Sequence, residues 1–87
     1  MINISQRFYN ALFQRLFEKF DKVSYYSGVI DGELEGVKYK FAISLVIYRD
    51  KDGIIEDLIP IWYEFETFVN DEGAKNDFSF EELRKEI

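Results

Sequence analysis

Val37-Lys38-Tyr39-Lys40-Phe41-Ala42-Ile43-Ser44-Leu45-Val46-Ile47-Tyr48 is the stretch that decides the fold. Its odd positions are apolar from Val37 to Ile47, and its even positions begin with two lysines. Alternation of period two over a dozen residues is the signature of a strand with one buried face. Asp50-Lys51-Asp52-Gly53 then turns the chain, and Ile59, Ile61, Tyr63 and Phe65 resume the odd apolar pattern, with Trp62, Glu64 and Glu66 on the other face.

Core residues must face core residues, so odd positions must pair with odd. A five-residue loop, Asp50 to Ile54, sets Arg49 opposite Ile55, Ile43 opposite Ile61, Phe41 opposite Tyr63 and Tyr39 opposite Phe65. The other face then places Lys40 against Glu64 and Lys38 against Glu66, and each opposed pair is worth about 0.2–1 kcal/mol. Pro60 has no N–H to donate and is tolerated mainly on an edge strand or at a bulge, so this strand is expected to be the sheet edge.

N-terminal to the hairpin, residues 4–20 read as an amphipathic helix. Tyr9, Leu12, Phe13, Leu16, Phe17 and Phe20 form one stripe, and Phe8 widens it at a partly exposed position. Asn3 with Gln6 resembles a capping box, and Ser5 competes as N-cap. A first strand follows from about Val23 to Ile30 or Glu33. Its turn falls at Glu35-Gly36, with Gly32 as a bulge and Gly28 as a further irregularity or a close approach of the helix.

C-terminal to the hairpin, Asn70 to Asn76 reads as a polar loop. Ser79 with Glu82 is a second capping box, and Phe78 with Leu83 a hydrophobic staple. A helix of about two turns is marginal alone, so Phe78, Phe80 and Leu83 are expected to dock on the rest of the domain. The expected fold is a single α+β domain over residues 1–87. It is a two-layer sandwich: an N-terminal helix packed on a three-stranded antiparallel meander, then a short C-terminal helix. The first helix is expected across Phe41, Ile43, Leu45, Ile59, Ile61 and Tyr63. The opposite face would carry Lys38, Lys40, Tyr48, Leu58, Trp62, Glu64 and Glu66.

A chain of 87 residues buries roughly 60–65% of its unfolded surface, and nine Phe, six Tyr and one Trp enlarge the core it can build. Cysteine and histidine are both absent. The chain therefore lacks thiolate ligands, disulfides, the commonest general base and the commonest metal ligand. With no long apolar run and no basic leader ahead of an apolar stretch, the expectation is a cytoplasmic protein away from the membrane.

Residues 1–49 carry a net +2 and residues 50–87 a net −8. The acidic part repels nucleic acid and suits solubility or a basic partner. Asp50-Lys51-Asp52-Gly53 offers two early ligands of a calcium loop, but its glycine comes too early and its setting is a hairpin. The carboxylate pairs Glu56/Asp57, Glu64/Glu66 and Asp71/Glu72 show no sign of the burial that drives acid–base pairs apart.

The element order is also that of double-stranded-RNA-binding domains, whose last helix begins with cations. Here that helix begins Ser79-Phe80-Glu81-Glu82, and the inverted charge argues against direct nucleic-acid binding. No catalytic residue, cofactor or metal site is expected. The expectation is a small acidic, non-enzymatic protein-interaction or accessory module that binds a protein partner or itself. Its candidate interface is Tyr48, Leu58, Pro60 and Trp62, because Trp and Tyr are enriched in interface anchors. The alternative is an acidic, nucleic-acid-mimicking inhibitor of a basic nucleic-acid-binding protein, of the phage or mobile-element type. That reading rests on Glu56, Asp57, Glu64, Glu66, Asp71, Glu72, Asp77, Glu81 and Glu82.

Overall fold

The computed structural model describes residues 1–87. In chain order the elements are α1 (Gln6–Lys19), β1 (Tyr25–Leu34), β2 (Val37–Arg49), β3 (Ile55–Val69), β4 (Glu72–Ala74) and α2 (Phe80–Arg84). The strands form one antiparallel sheet in the order β1-β2-β3-β4. Three long strands make the meander, and β4 adds a short fourth. Both helices contribute to a single apolar cluster with one face of the sheet, so the expected two-layer α+β architecture holds.

Ser5 is the N-cap of α1; its Oγ accepts the Phe8 N–H at 3.0 Å and also bonds the Glu35 carboxylate. The competing Asn3 box does not form. Leu12 and Leu16 lie at the centre of the buried arc, and each contributes about 1.5–3 kcal/mol by leaving water. Phe8 is buried, edge-on to Tyr39 and Phe65 at ring distances of 5.7 and 5.9 Å, whereas Phe17 is exposed. Both outcomes differ from the sequence reading, for one reason. At about 100° per residue, Phe17 sits some 140° from Leu12 and Phe8 only about 40° on the other side. The arc that meets the sheet is centred nearer Phe8.

The β1–β2 hairpin turns at Glu35-Gly36, both at positive φ (50° and 77°), as a two-residue type I′ turn requires. Its register runs unbroken from Tyr25↔Val46 to Leu34↔Val37, so Gly32 is not a bulge. It is a gap in the side-chain layer. Arg15 crosses it to donate to Tyr39 Oη at 3.0 Å, and a Cβ there would collide with the guanidinium. The Tyr26 ring lies over Gly28 in the same way and packs edge-on against Phe20.

The β2–β3 loop spans Asp50 to Ile54, with Arg49 opposite Ile55 as expected. Asp50 Oδ1 accepts the N–H groups of Asp52 (2.8 Å) and Ile54 (3.0 Å), and Gly53 takes φ 83°. Beyond the loop the register departs from simple alternation. One extra residue, Glu56, enters β3 between the pairs Arg49↔Ile55 and Tyr48↔Asp57. A second, Ile61, enters between Leu45↔Pro60 and Ser44↔Trp62.

Two bulges move the pairing by two residues. Ile43 faces Tyr63, Phe41 faces Phe65, Tyr39 faces Thr67 and Lys40 faces Glu66. Between the bulges the faces of β3 are inverted. Leu58 is fully buried at 0% exposure, while Ile59 (37%) and the inserted Ile61 (64%) are open to solvent. The sequence expectation for these three positions is therefore reversed. The expected sheet edge is not β3 as a whole, which lies between β2 and the short β4 paired at Thr67–Val69. Pro60 instead goes with the second bulge, since with no N–H it interrupts the ladder and a bulge absorbs the interruption.

Asn70 and Asp71, at φ 51° and 65°, make a second two-residue turn into β4, where a polar loop is expected from sequence. Buried Thr67 donates its Oγ1 hydrogen to Ala74 O (2.7 Å) and accepts from Asn76 Nδ2 (3.0 Å). The N-terminus lies alongside: Ile2 N donates to Lys75 O, and Asp77 N to Ile2 O. Phe78 then stacks on Phe65 at 4.2 Å.

Ser79 occupies the N-cap of α2, but its side chain caps nothing and Glu82 pairs with Lys85 instead. Tyr9 Oη accepts the Ser79 N–H at 2.9 Å. A tertiary contact thus replaces the capping box. Phe80 and Leu83 are buried as expected. Arg84 grips Asp57 with two parallel bonds, Nε–Oδ1 3.0 Å and Nη2–Oδ2 2.8 Å, fastening α2 to the start of β3.

Candidate functional site: the open sheet face

Because α1 and α2 cover the same side, the other side of the sheet has no layer over it. The registers arrange its side chains in rows across β1, β2 and β3. Tyr25, Val46 and Ile59 form one row, Ser27, Ser44 and Trp62 the next, then Val29, Ala42 and Glu64, then Asp31, Lys40 and Glu66, and last Glu33, Lys38 and Phe68. Tyr48 stands beyond the first row, toward the Asp50–Ile54 loop.

The rows divide the face in two. Toward that loop, Tyr25, Val46, Tyr48, Ile59, Ile61 and Trp62 make an apolar and aromatic field, with Tyr48 and Trp62 both 54% exposed. A central hydrogen bond between the Ser27 and Ser44 hydroxyls (2.8 Å) satisfies the polar groups beside Trp62. Toward the Glu35-Gly36 turn the face is ionic. Lys38 and Lys40 run down its middle, flanked by Asp31 and Glu33 on β1 and by Glu64 and Glu66 on β3. Lys38 Nζ reaches Asp71 at 3.2 Å.

Of the residues singled out from sequence, the structure brings Tyr48 and Trp62 together on this face. It removes Leu58 to the core, and it sets Pro60, half-buried, opposite the core residue Leu45. Tyr25, Val29, Ile59 and Ile61 belong to the exposed apolar surface and are missed by sequence reasoning. The alternation of Tyr25, Ser27 and Val29 against Tyr26, Gly28 and Ile30 carried the signal for β1. Nothing short of the bulge positions carried it for Ile59 and Ile61.

Titratable groups add little chemistry. Burial pushes the Tyr9 hydroxyl above its usual value, and hydrogen bonds to Asp57 hold the Arg84 guanidinium more firmly in its charged form. Both lie on the helix side and serve packing. No group of three or more carboxylates is placed to hold a metal ion, and no helix is long and apolar enough to cross a membrane. Among the nine acidic residues read as a nucleic-acid-like strip, Asp57 and Glu81 pair with Arg84, Glu82 with Lys85 and Asp71 with Lys38. Asp77 accepts the Ile4 N–H. No family model, curated protein or solved structure matches this chain.

Proposed function

We propose that this chain is a non-enzymatic protein-interaction module of the cytoplasm, and that the apolar half of its open sheet face is the binding surface. One observation carries this reading: both helices are used on one side of the sheet, leaving Trp62, Tyr48, Tyr25, Ile59 and Ile61 uncovered on or beside the other. Together the exposed side chains present on the order of 600 Å², at the upper end of what a monomer leaves open. Trp and Tyr are the residue types that anchor interfaces. The rival reading, an acidic mimic of nucleic acid, is weakened because Asp57, Asp71, Asp77, Glu81 and Glu82, more than half of its carboxylates, are bonded within the chain.

The test compares wild type with a Trp62→Ala/Tyr48→Ala variant. Circular dichroism is expected to show the variant folded, because neither side chain reaches the core. Every protein association of the wild type, with itself or another chain, is expected to weaken at least tenfold in the variant and to survive 0.5 M salt. Associations untouched by the substitutions but released by salt would refute the reading in favour of the acidic mimic.

A further inference from the structure

We infer that the open face binds a second copy of this chain, face to face, about a two-fold axis that runs across the strands near Val46. The inference rests on the preceding reading of this face as an interface, and adds the partner and its orientation. Area sets the first condition. A standard interface takes about 800 Å² from each partner, and the apolar field with its ionic margin is of that order.

Charge decides the orientation. Two sheets stacked on their faces can be related by an axis along the strands or across them. An axis along the strands lays each row on itself with β1 over β3. Lys40 then meets Lys40 of the second copy, and Asp31 meets Glu66, so the ionic half repels itself. An axis across the strands reverses the rows. With Val46 on the axis, Tyr25, Val46 and Ile59 meet their own counterparts, and Tyr48 lies over Ser44.

The remainder of each face then overhangs the far end of the other. Lys40 stands six residues from Val46, about 20 Å along the strand. The Asp50–Ile54 loop stands about as far on the opposite side. Lys40 of each copy therefore reaches the Asp50-Lys51-Asp52 tip of the other, and Lys51 reaches toward Glu64 and Glu66, while Lys38 stays with Asp71 of its own chain. Asp50 is committed to its own turn, whereas Asp52 is exposed and its carboxylate makes no bond within the chain. Each copy thus carries both halves of a reciprocal contact, as a two-fold interface demands.

The experiment is sedimentation equilibrium on the full chain at low ionic strength, with Lys40→Glu, Asp52→Lys and their equimolar mixture. Wild type is expected to dimerise, and its single tryptophan, Trp62, to shift its emission to the blue as concentration rises. Each charge reversal alone opposes like charges twice per dimer and is expected to weaken association about tenfold. The mixture restores opposite charges at both contacts and is expected to return to within about threefold of wild type.

Tighter association of Lys40→Glu with wild type than of wild type with itself would indicate the axis along the strands and overturn the inference. A wild-type dimer indifferent to both reversals and to Trp62→Ala would place the contact at a strand edge, overturning the inference and the proposed surface together. A wild-type monomer at 0.1 mM would overturn the second copy alone, and a different protein would remain the expected occupant of the face.

Discussion

Leu58→Ala and Ile61→Ala are expected to differ sharply, and in the opposite order to that given by counting alternation along β3. Leu58 has no exposed surface and lies within the cluster formed by both helices and the sheet. Truncating a fully buried leucine removes its transfer free energy and leaves a cavity, about 3 kcal/mol within a range of 2–5. For a domain of this size 1 kcal/mol moves the melting temperature by about 4–8 °C. Leu58→Ala should therefore lower it by about 12–24 °C. Ile61 is the inserted residue of a bulge and is two-thirds exposed. Its truncation should cost no more than about 0.5 kcal/mol, a shift of at most about 4 °C.

Thermal unfolding followed by far-ultraviolet circular dichroism measures both. It should be run at two concentrations, because dissociation of a dimer would lower the apparent stability of Ile61→Ala by mass action. A concentration-independent loss larger for Ile61→Ala than for Leu58→Ala would refute the two-bulge register and, with it, the composition of the open face.

Three further outcomes are expected. Arg49 donates to the carbonyls of Phe20 (2.6 Å), Gly53 (2.9 Å) and Val23 (3.2 Å), clamping the α1–β1 connection to the hairpin loop. Arg49→Ala should cost about 1.5–3 kcal/mol and lower hydrogen-exchange protection at the Ile47 amide, which bonds Ser24 O, while Arg49→Lys, lacking the fork, should recover less than half of the loss. Tyr9→Phe should cost about 1 kcal/mol in denaturant titrations by leaving the Ser79 N–H without its acceptor. The folded Tyr9 hydroxyl titrates above its unfolded value of 10.0, so its stabilising contribution is complete below pH 10 and is lost as pH rises through the folded value; Tyr9→Phe should flatten that alkaline decline. Asp71→Gly should raise stability by about 0.5–1 kcal/mol, because Asn followed by Gly suits the two positive-φ positions of the Val69–Glu72 turn and the Lys38–Asp71 pair it removes is exposed.

Much of the architecture was legible because it depends on local rules. The stripe Tyr9, Leu12, Phe13, Leu16 has only one helical face to occupy. Glu35-Gly36 and Asp50–Ile54 turn where turn chemistry places them. The β4 strand was not legible: three residues are too few for a period, and what holds them is the Thr67 hydroxyl and Asn76, neither of which announces a strand. The start of α2 shows a further limit. Ser79 and Glu82 have the spacing of a capping box, yet Tyr9, seventy residues earlier, reaches the Ser79 N–H and makes the local device unnecessary.

The candidate surface divides along the same line. Tyr48 and Trp62 followed from alternation because β2 is unbroken and the count on β3 is restored beyond its second bulge. Leu58 and Ile59 did not, because they lie between the bulges, where one extra residue exchanges the two faces of the strand. What the amino-acid order determined by itself was the two helices, the three long strands, the turns at Glu35-Gly36 and Asp50–Ile54 and the two faces of β2, since these rest on the 3.6- and 2-residue periods and on backbone φ. Tertiary structure alone decided the parity of β3 and the bareness of one sheet face. A ladder interrupted at Pro60 takes its register from packing against Leu45 and Ile43. The two helices, separated in the chain by the whole sheet, bury Leu12, Leu16, Phe80 and Leu83 most fully by sharing one core on one side of it.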